Sequence, residues 1–158
     1  MQFDFDFKTI DTEKEVRNVV DFIRQFPLNY FNYSDWTDKV YYQLMNGNKS
    51  GIFCLSHNKD IVADLIFQSI GGGVLEIKNL RVYDFLQNRG FAHFMLRQLE
   101  KEGTKEFNGI MVDTRKDNLS VRNLLEKRGY KEINQANLYD KTFLDVVYYK
   151  KLNSILTA

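Results

Sequence analysis

Apolar residues recur along this chain with two periods, and the switches between them outline its elements. Phe3, Phe5 and Phe7 alternate with Asp4 and Asp6, a period of two that predicts a short first strand with one buried face. Thr12-Glu13-Lys14-Glu15 has the spacing of a capping box, and Val16, Val19, Val20, Ile23 and Phe26 follow at helical intervals until Pro27 stops the pattern. A second helix is expected from Ser34 through Val40 and Leu44, closed by Gly47. The segment before it, from Phe26 to Trp36, is dense in aromatics (Tyr30, Phe31, Tyr33), which either line a cleft or cover the core. Gly51 to Ser56 and Ile61 to Phe67 are strand-like runs around the turn formers His57-Asn58-Lys59-Asp60, the pattern of an antiparallel hairpin. Gly71-Gly72-Gly73 makes a further reversal into the long strand Val74 to Val82.

The stretch from Leu80 to Ala92 then leaves that strand and turns directly into a helix. Phe91, Met95 and Leu99 recur at helical spacing, with Phe94 and Leu96 widening the stripe, so the helix begins near Gly90. Its first amides have no intrahelical partner, and Gly90 and Ala92 let a ligand approach the backbone. The stretch therefore fits an anion-binding turn as well as an ordinary strand-to-helix connection. Gly109 to Asp113 forms a buried strand, and Asp117 or Asn118 caps a helix through Val121, Leu124 and Leu125 that Lys127, Arg128 and Gly129 terminate. Tyr130 to Ile133 and Phe143 to Leu152 are closing strands, joined by the loop Asn134 to Thr142, which contains Tyr139. The order β α α β β β α β α β β is that of a mixed α/β sheet with an antiparallel meander leading into a β-α-β unit.

Composition narrows the function classes. The 158 residues suit one domain, 1–158, that buries about 70% of the surface its unfolded form would expose. A formal charge of +1 gives no global field to recruit nucleic acid or an anionic membrane, and no stretch approaches the roughly 20 apolar residues of a membrane span. Cys54 lies in the apolar run Ile52-Phe53-Cys54-Leu55 and behaves as a small buried hydrophobe, which suits a reducing, cytoplasmic setting. His57 and His93 lie far apart and make no metal spacing, so no metal is expected. Neither a P-loop nor a G-x-G-x-x-G pattern occurs, which disfavours nucleoside triphosphates and dinucleotides.

With Gln87-x-x-Gly90-x-Ala92 at the strand-to-helix turn, the chain resembles the GNAT superfamily of acyl-coenzyme A dependent N-acetyltransferases. A second segment, Asn118-Leu119-Ser120-Val121-Arg122-Asn123-Leu124-Leu125-Glu126-Lys127-Arg128-Gly129-Tyr130, is similar to the family's Asn-x-x-Ala-x-x-Leu-Tyr-Glu-Lys-x-Gly-Phe stretch. The resemblance implies an α+β fold, with a mostly antiparallel mixed sheet of about seven strands and about four helices. It implies acetyl-coenzyme A as co-substrate, its pyrophosphate wrapped by Gln87, Asn88, Arg89, Gly90, Phe91 and Ala92. It further implies that the pantetheine arm pairs with the backbone of Leu80, Arg81 and Val82, and that Asn118 contributes to the coenzyme site.

Glu76 falls where some members carry the glutamate that takes the amine's proton, although a mid-strand carboxylate also fits an exposed face or a pair with Lys78. Leu125 stands where many members place the tyrosine that protonates the leaving thiolate, so Tyr139, Tyr148 and Tyr149 are replacements for that task or, as tyrosines in closing strands, packing residues. The expected reaction is direct acetyl transfer to a primary amine of a small molecule or peptide, without a covalent enzyme intermediate, in a monomer or homodimer. The alternative is a non-catalytic binding or sensing module that keeps the coenzyme site.

Overall fold

The computed structural model describes residues 5–26, 32–83 and 86–153. Its elements run β1 (Asp6–Thr9), α1 (Glu13–Arg24), α2 (Tyr33–Met45), β2 (Ser50–Leu55), β3 (Ile61–Ser69), β4 (Val74–Val82), α3 (Phe91–Gly103), β5 (Gly109–Arg115), α4 (Leu119–Lys127), β6 (Lys131–Ala136) and β7 (Asp145–Lys151). The strands form one seven-stranded mixed sheet in the order β1-β2-β3-β4-β5-β7-β6. The β4–β5 pair is parallel, as a β-α-β crossover requires. Contacts divide the chain into two compact units, residues 1–68 with 78–95 and residues 69–77 with 96–158, and β4 and α3 contribute to both.

In the first unit, α1 and α2 cover one face of β2 and β3. Thr12 accepts from the Glu15 amide while the Glu15 carboxylate accepts from the Thr12 amide, the reciprocal cap expected from the sequence. Val16, Val19, Val20 and Ile23 then pack with Val40, Leu44, Phe53 and Ile66 in a buried cluster. Fully burying each aliphatic side chain contributes about 1.5–3 kcal/mol, which holds these helices against the sheet. Tyr33 and Trp36 stack at 5.7 Å and pack against this cluster, and Trp36 also lines a cavity with Asn32, Asp35, Asp38 and Lys39. Pro27, Tyr30 and Phe31 lie outside the described residues.

Three expectations fail here for physical reasons. Asn32, not Ser34, precedes α2: it takes the left-handed conformation (φ 61°), and its carbonyl accepts the first helical bond from the Trp36 amide. The first strand has no buried face, because β1 is an edge strand whose residues are all exposed. Its aromatics pack on α3 instead, Phe5 edge-on to Phe91 and Phe7 at 6.2 Å from Phe94, while Phe3 is outside the described residues. Phe94 accordingly stays 53% exposed and does not widen the buried stripe of α3.

The second unit is built on β5 and β7, whose antiparallel ladder runs from Gly109↔Lys151 to Arg115↔Asp145. Ile110, Val146 and Tyr148 are fully buried. Gly109 leaves room for its neighbour: a β-carbon there would lie 2.1 Å from the Tyr149 hydroxyl oxygen and 2.3 Å from its ring as that side chain stands. Glu100, near the end of α3, collects Arg128 through Nη2 and Nε, the Tyr130 hydroxyl (3.1 Å) and the Lys150 ammonium (2.9 Å). Burial and the Glu100 carboxylate push the Tyr130 phenol well above the ordinary tyrosine range. Tyr130 itself precedes β6 rather than opening it, since its amide closes the end of α4 on the Leu125 carbonyl after Gly129 (φ 89°).

Candidate active site

In the first unit, the stretch from Leu80 to Ala92 carries the end of β4 into α3. Asp84 and Phe85 lie outside the described residues. Gln87 reaches back to the strand it follows, donating from Nε2 to the Val82 carbonyl at 3.2 Å. Asn88 (φ 62°) and Gly90 (φ 88°) are both left-handed, and the first helical bond of α3 runs from the Phe94 amide to the Gly90 carbonyl. The amides of Phe91, Ala92 and His93 therefore precede the first intrahelical donor, and the helix supplies them no carbonyl. Gln87, Asn88 and Arg89 are exposed, and Gly90, Phe91 and Ala92 are half-buried. The free amides of a helix start carry a partial positive charge, which favours an anion there.

β4 leads into this turn. Its parallel ladder with β5 spans Val74↔Gly109 to Ile77↔Val112, after which β4 continues to Val82. Leu75 and Ile77 alternate as buried residues up to that point, but from Lys78 to Arg81 every residue is half-buried. Leu80 and Arg81 are among these, while Val82 is buried and its neighbour Tyr83 donates its amide to the Val62 carbonyl at 2.7 Å.

In the second unit, Glu76 lies half-buried on β4 opposite Met111. Tyr139, in the β6–β7 loop, donates its hydroxyl to Asp113 Oδ1 at 3.1 Å. Desolvation around that hydroxyl, then the charges of Asp113, Glu76 and Asp145, hold the phenol above its ordinary value, even though the residue as a whole is 62% exposed. The structure thus places Glu76 in the electrostatic neighbourhood of Tyr139. Asp113 was missed from the sequence, where it reads as the end of an apolar strand; an acid closing Gly-Ile-Met-Val was the available signal. Asn118 caps α4, its Oδ1 accepting from the Val121 amide at 3.3 Å.

The other tyrosines are committed elsewhere. Tyr148 is fully buried, accepting from Arg122 Nε (2.9 Å) and donating to Glu126 (3.2 Å), and Tyr149 covers Gly109. Leu125 is a fully buried core residue. Cys54 is also fully buried, and burial pushes its thiol up to about 12, so it holds its proton and is no nucleophile. Among the described residues, no group of three or more His, Cys, Asp or Glu could hold a metal, and no helix is long and apolar enough to cross a membrane.

The model of the acetyltransferase (GNAT) family matches residues 18–130, most of the chain. The chain belongs to the GNAT acetyltransferase family. That span includes β4, the turn, α3, β5 and α4, and it ends before the Tyr139 loop.

Solved structures share the GNAT fold at low sequence identity. The ribosomal-protein-S18-alanine N-acetyltransferase from Escherichia coli superposes with a TM-score of 0.76 at 16% identity, covering 94% of this chain and 94% of that one. Arabidopsis thaliana NAA60, in complex with a bisubstrate analogue, gives 0.73 at 13% identity, covering 95% and 99%. A dodecameric spermidine N-acetyltransferase from Vibrio cholerae gives 0.74 at 11% identity, covering 99% and 98%. No curated protein matches the sequence.

Proposed function

We propose that residues 1–158 act as one N-acetyltransferase domain that moves an acetyl group from acetyl-coenzyme A to a primary amine by direct attack. The observation that carries this reading is the left-handed turn at Asn88 and Gly90 running into the start of α3, within a chain of the GNAT family. The fit to the coenzyme rests on that backbone. Gln87, Asn88, Arg89, Gly90, Phe91 and Ala92 hold the pyrophosphate, and Asn118 adds to the coenzyme site. Leu80, Arg81 and Val82 pair through their backbone with the two amides of the pantetheine arm, as an extra strand would. The coenzyme supplies an acetyl group activated as a thioester.

Glu76 takes a proton from the incoming ammonium, directly or through water, because a protonated amine has no lone pair with which to attack. An N–H of the Leu80–Val82 segment polarises the carbonyl as negative charge develops on its oxygen. The nitrogen forms its bond to the acetyl carbon as the carbon–sulfur bond breaks. Of the protons leaving nitrogen, one ends on sulfur and one is released. A thiol with an ordinary pKa near 8.5 leaves tolerably without a dedicated acid, so Leu125 does not exclude the reaction.

Neighbours of the same fold act on a ribosomal-protein alanine and on spermidine, which supports peptide and small-molecule amines alike as acceptors. The reading is tested by titrating the protein with coenzyme A in a calorimeter and measuring thiol release over a panel of polyamines, aminosugars, amino acids and peptide N-termini. Coenzyme binding with turnover of one or more acceptors is expected, and absence of coenzyme binding refutes it. A second reading, a sensing module that keeps the coenzyme site, is favoured by buried Leu125 and by the Tyr139 phenol held on Asp113. Turnover with any amine rejects it.

A further inference from the structure

Asp64 stands in the middle of β3, where Ala63, Leu65 and Ile66 are fully buried, and it is itself 0% exposed. It lies opposite Phe53 in the β2–β3 ladder, two positions from Ile66, and both of those residues belong to the cluster under α1 and α2. Its side chain therefore projects from the sheet face that those helices cover. One oxygen, Oδ2, accepts from Asn79 Nδ2 at 2.7 Å, while Oδ1 is buried with no hydrogen-bond partner among the described residues.

Among the described residues, two titratable groups interact with its charge. From β4 comes the positive charge of Arg81, whose guanidinium sits 5.8 Å from the centroid of the Phe26 ring. From α2 comes Tyr33, whose hydroxyl is committed to the Ile23 and Phe26 carbonyls at 2.9 and 3.3 Å. β2 contributes apolar Phe53, and the cluster residues of α1 are valines and isoleucine. A carboxylate buried with one donor is costly when ionised, and the cation best placed to relieve it is one that rests on an aromatic face.

We propose that Asp64 is a positioning residue, a proton-operated latch whose ionisation draws the Arg81 guanidinium off the Phe26 ring and onto Oδ1. The neutral carboxyl accepts from Asn79 and leaves Arg81 on the ring; the carboxylate takes Arg81 as its ion-pair partner. Burial, opposed by Asn79 and Arg81, places the exchange at about pH 7. Arg81 belongs to the segment proposed to pair with the pantetheine arm, so the latch also makes coenzyme affinity depend on pH; that consequence alone rests on the coenzyme reading.

The test is NMR on the full chain with labelled aspartate and arginine. The Asp64 carboxyl carbon and the Arg81 Nε–H resonance are expected to titrate together near neutrality, and the Arg81 signal to stand still in Asp64→Asn. An Asp64 midpoint in the ordinary carboxylate range, or an Arg81 signal that does not follow it, overturns the latch. Should Asp64→Asn not fold, Arg81→Gln serves: loss of the cation must raise the Asp64 midpoint, and an unmoved midpoint is fatal.

Coenzyme A titrations of the wild-type protein one pH unit either side of the Asp64 midpoint should differ several-fold in affinity, and those of Asp64→Asn should not. Equal wild-type affinities overturn the coupling. Absence of coenzyme binding in both titrations refutes the coenzyme reading and leaves the latch to be judged by the resonances.

Discussion

Two substitutions at Gly90 separate the fold from the binding site. Gly90 has φ 88°, and holding an L-residue in the left-handed region costs about 1–2 kcal/mol. Sterics add little, because a β-carbon would meet only the Phe94 ring, at 3.7 and 3.9 Å, which is ordinary contact. Gly90→Ala should therefore lower Tm by about 2–8 °C in a chain of this length. Gly90→Glu carries the same backbone strain, but its carboxylate sits at the positive end of α3, where the dipole returns about 0.3–1 kcal/mol, so it should be no less stable than Gly90→Ala. The two variants differ in what they offer an anion. Calorimetry should find coenzyme A binding weakened in Gly90→Ala and absent in Gly90→Glu, with both proteins folded by circular dichroism. Similar coenzyme affinities in the two folded variants would refute the assignment of this turn to a pyrophosphate.

Glu76→Gln should leave coenzyme affinity unchanged and lower kcat by roughly 10²- to 10⁴-fold, the usual contribution of a positioned base; a smaller loss in stopped-flow thiol release removes Glu76 from that role. The raised Asp64 pKa means that between about pH 4 and about pH 7 the native state binds a proton that the unfolded chain has released, so stability falls as pH rises through that window. The slope contributed by Asp64 is at most about 1.4 kcal/mol per pH unit, and urea titrations should show it missing from Asp64→Asn. Glu100→Ala strips the shared acceptor from Arg128, Tyr130 and Lys150; because the cations are 23% and 24% exposed and can turn outward, a loss of about 2–3 kcal/mol is expected, below the roughly 3–5 of a fully buried pair. Asn118→Ala removes the cap on the Val121 amide and should cost about 1 kcal/mol in urea unfolding.

The element order was legible because each switch in hydrophobic period carries its own punctuation: Thr12 and Glu15 at the start of α1, the glycines before β4, Gly129 after α4. The turn into α3 was legible for a related reason, since Phe91, Met95 and Leu99 take up helical spacing where the strand pattern ends at Val82, but the left-handed backbone of Asn88 and Gly90 was not read from it. What pattern could not give was the partner across space. Phe7 and Phe94 each look like core residues until the strand order puts β1 at an edge. Asp113 and Tyr139 are far apart in sequence and meet only through the β6–β7 loop. Asp64 sits in an apolar run that hides it, and only its burial without a second donor reveals it.

The contact between Gly109 and Tyr149 bears on how this sequence can change over time. Any side chain at 109 collides with the phenol, whereas shortening residue 149 first would open the space that a β-carbon needs. Substitution at 109 therefore costs less after residue 149 has been shortened than before, when the phenol must first be displaced. Among homologues, alanine or serine at 109 should be enriched in lineages that have given up the aromatic at 149, a historical constraint imposed by a single missing methyl group.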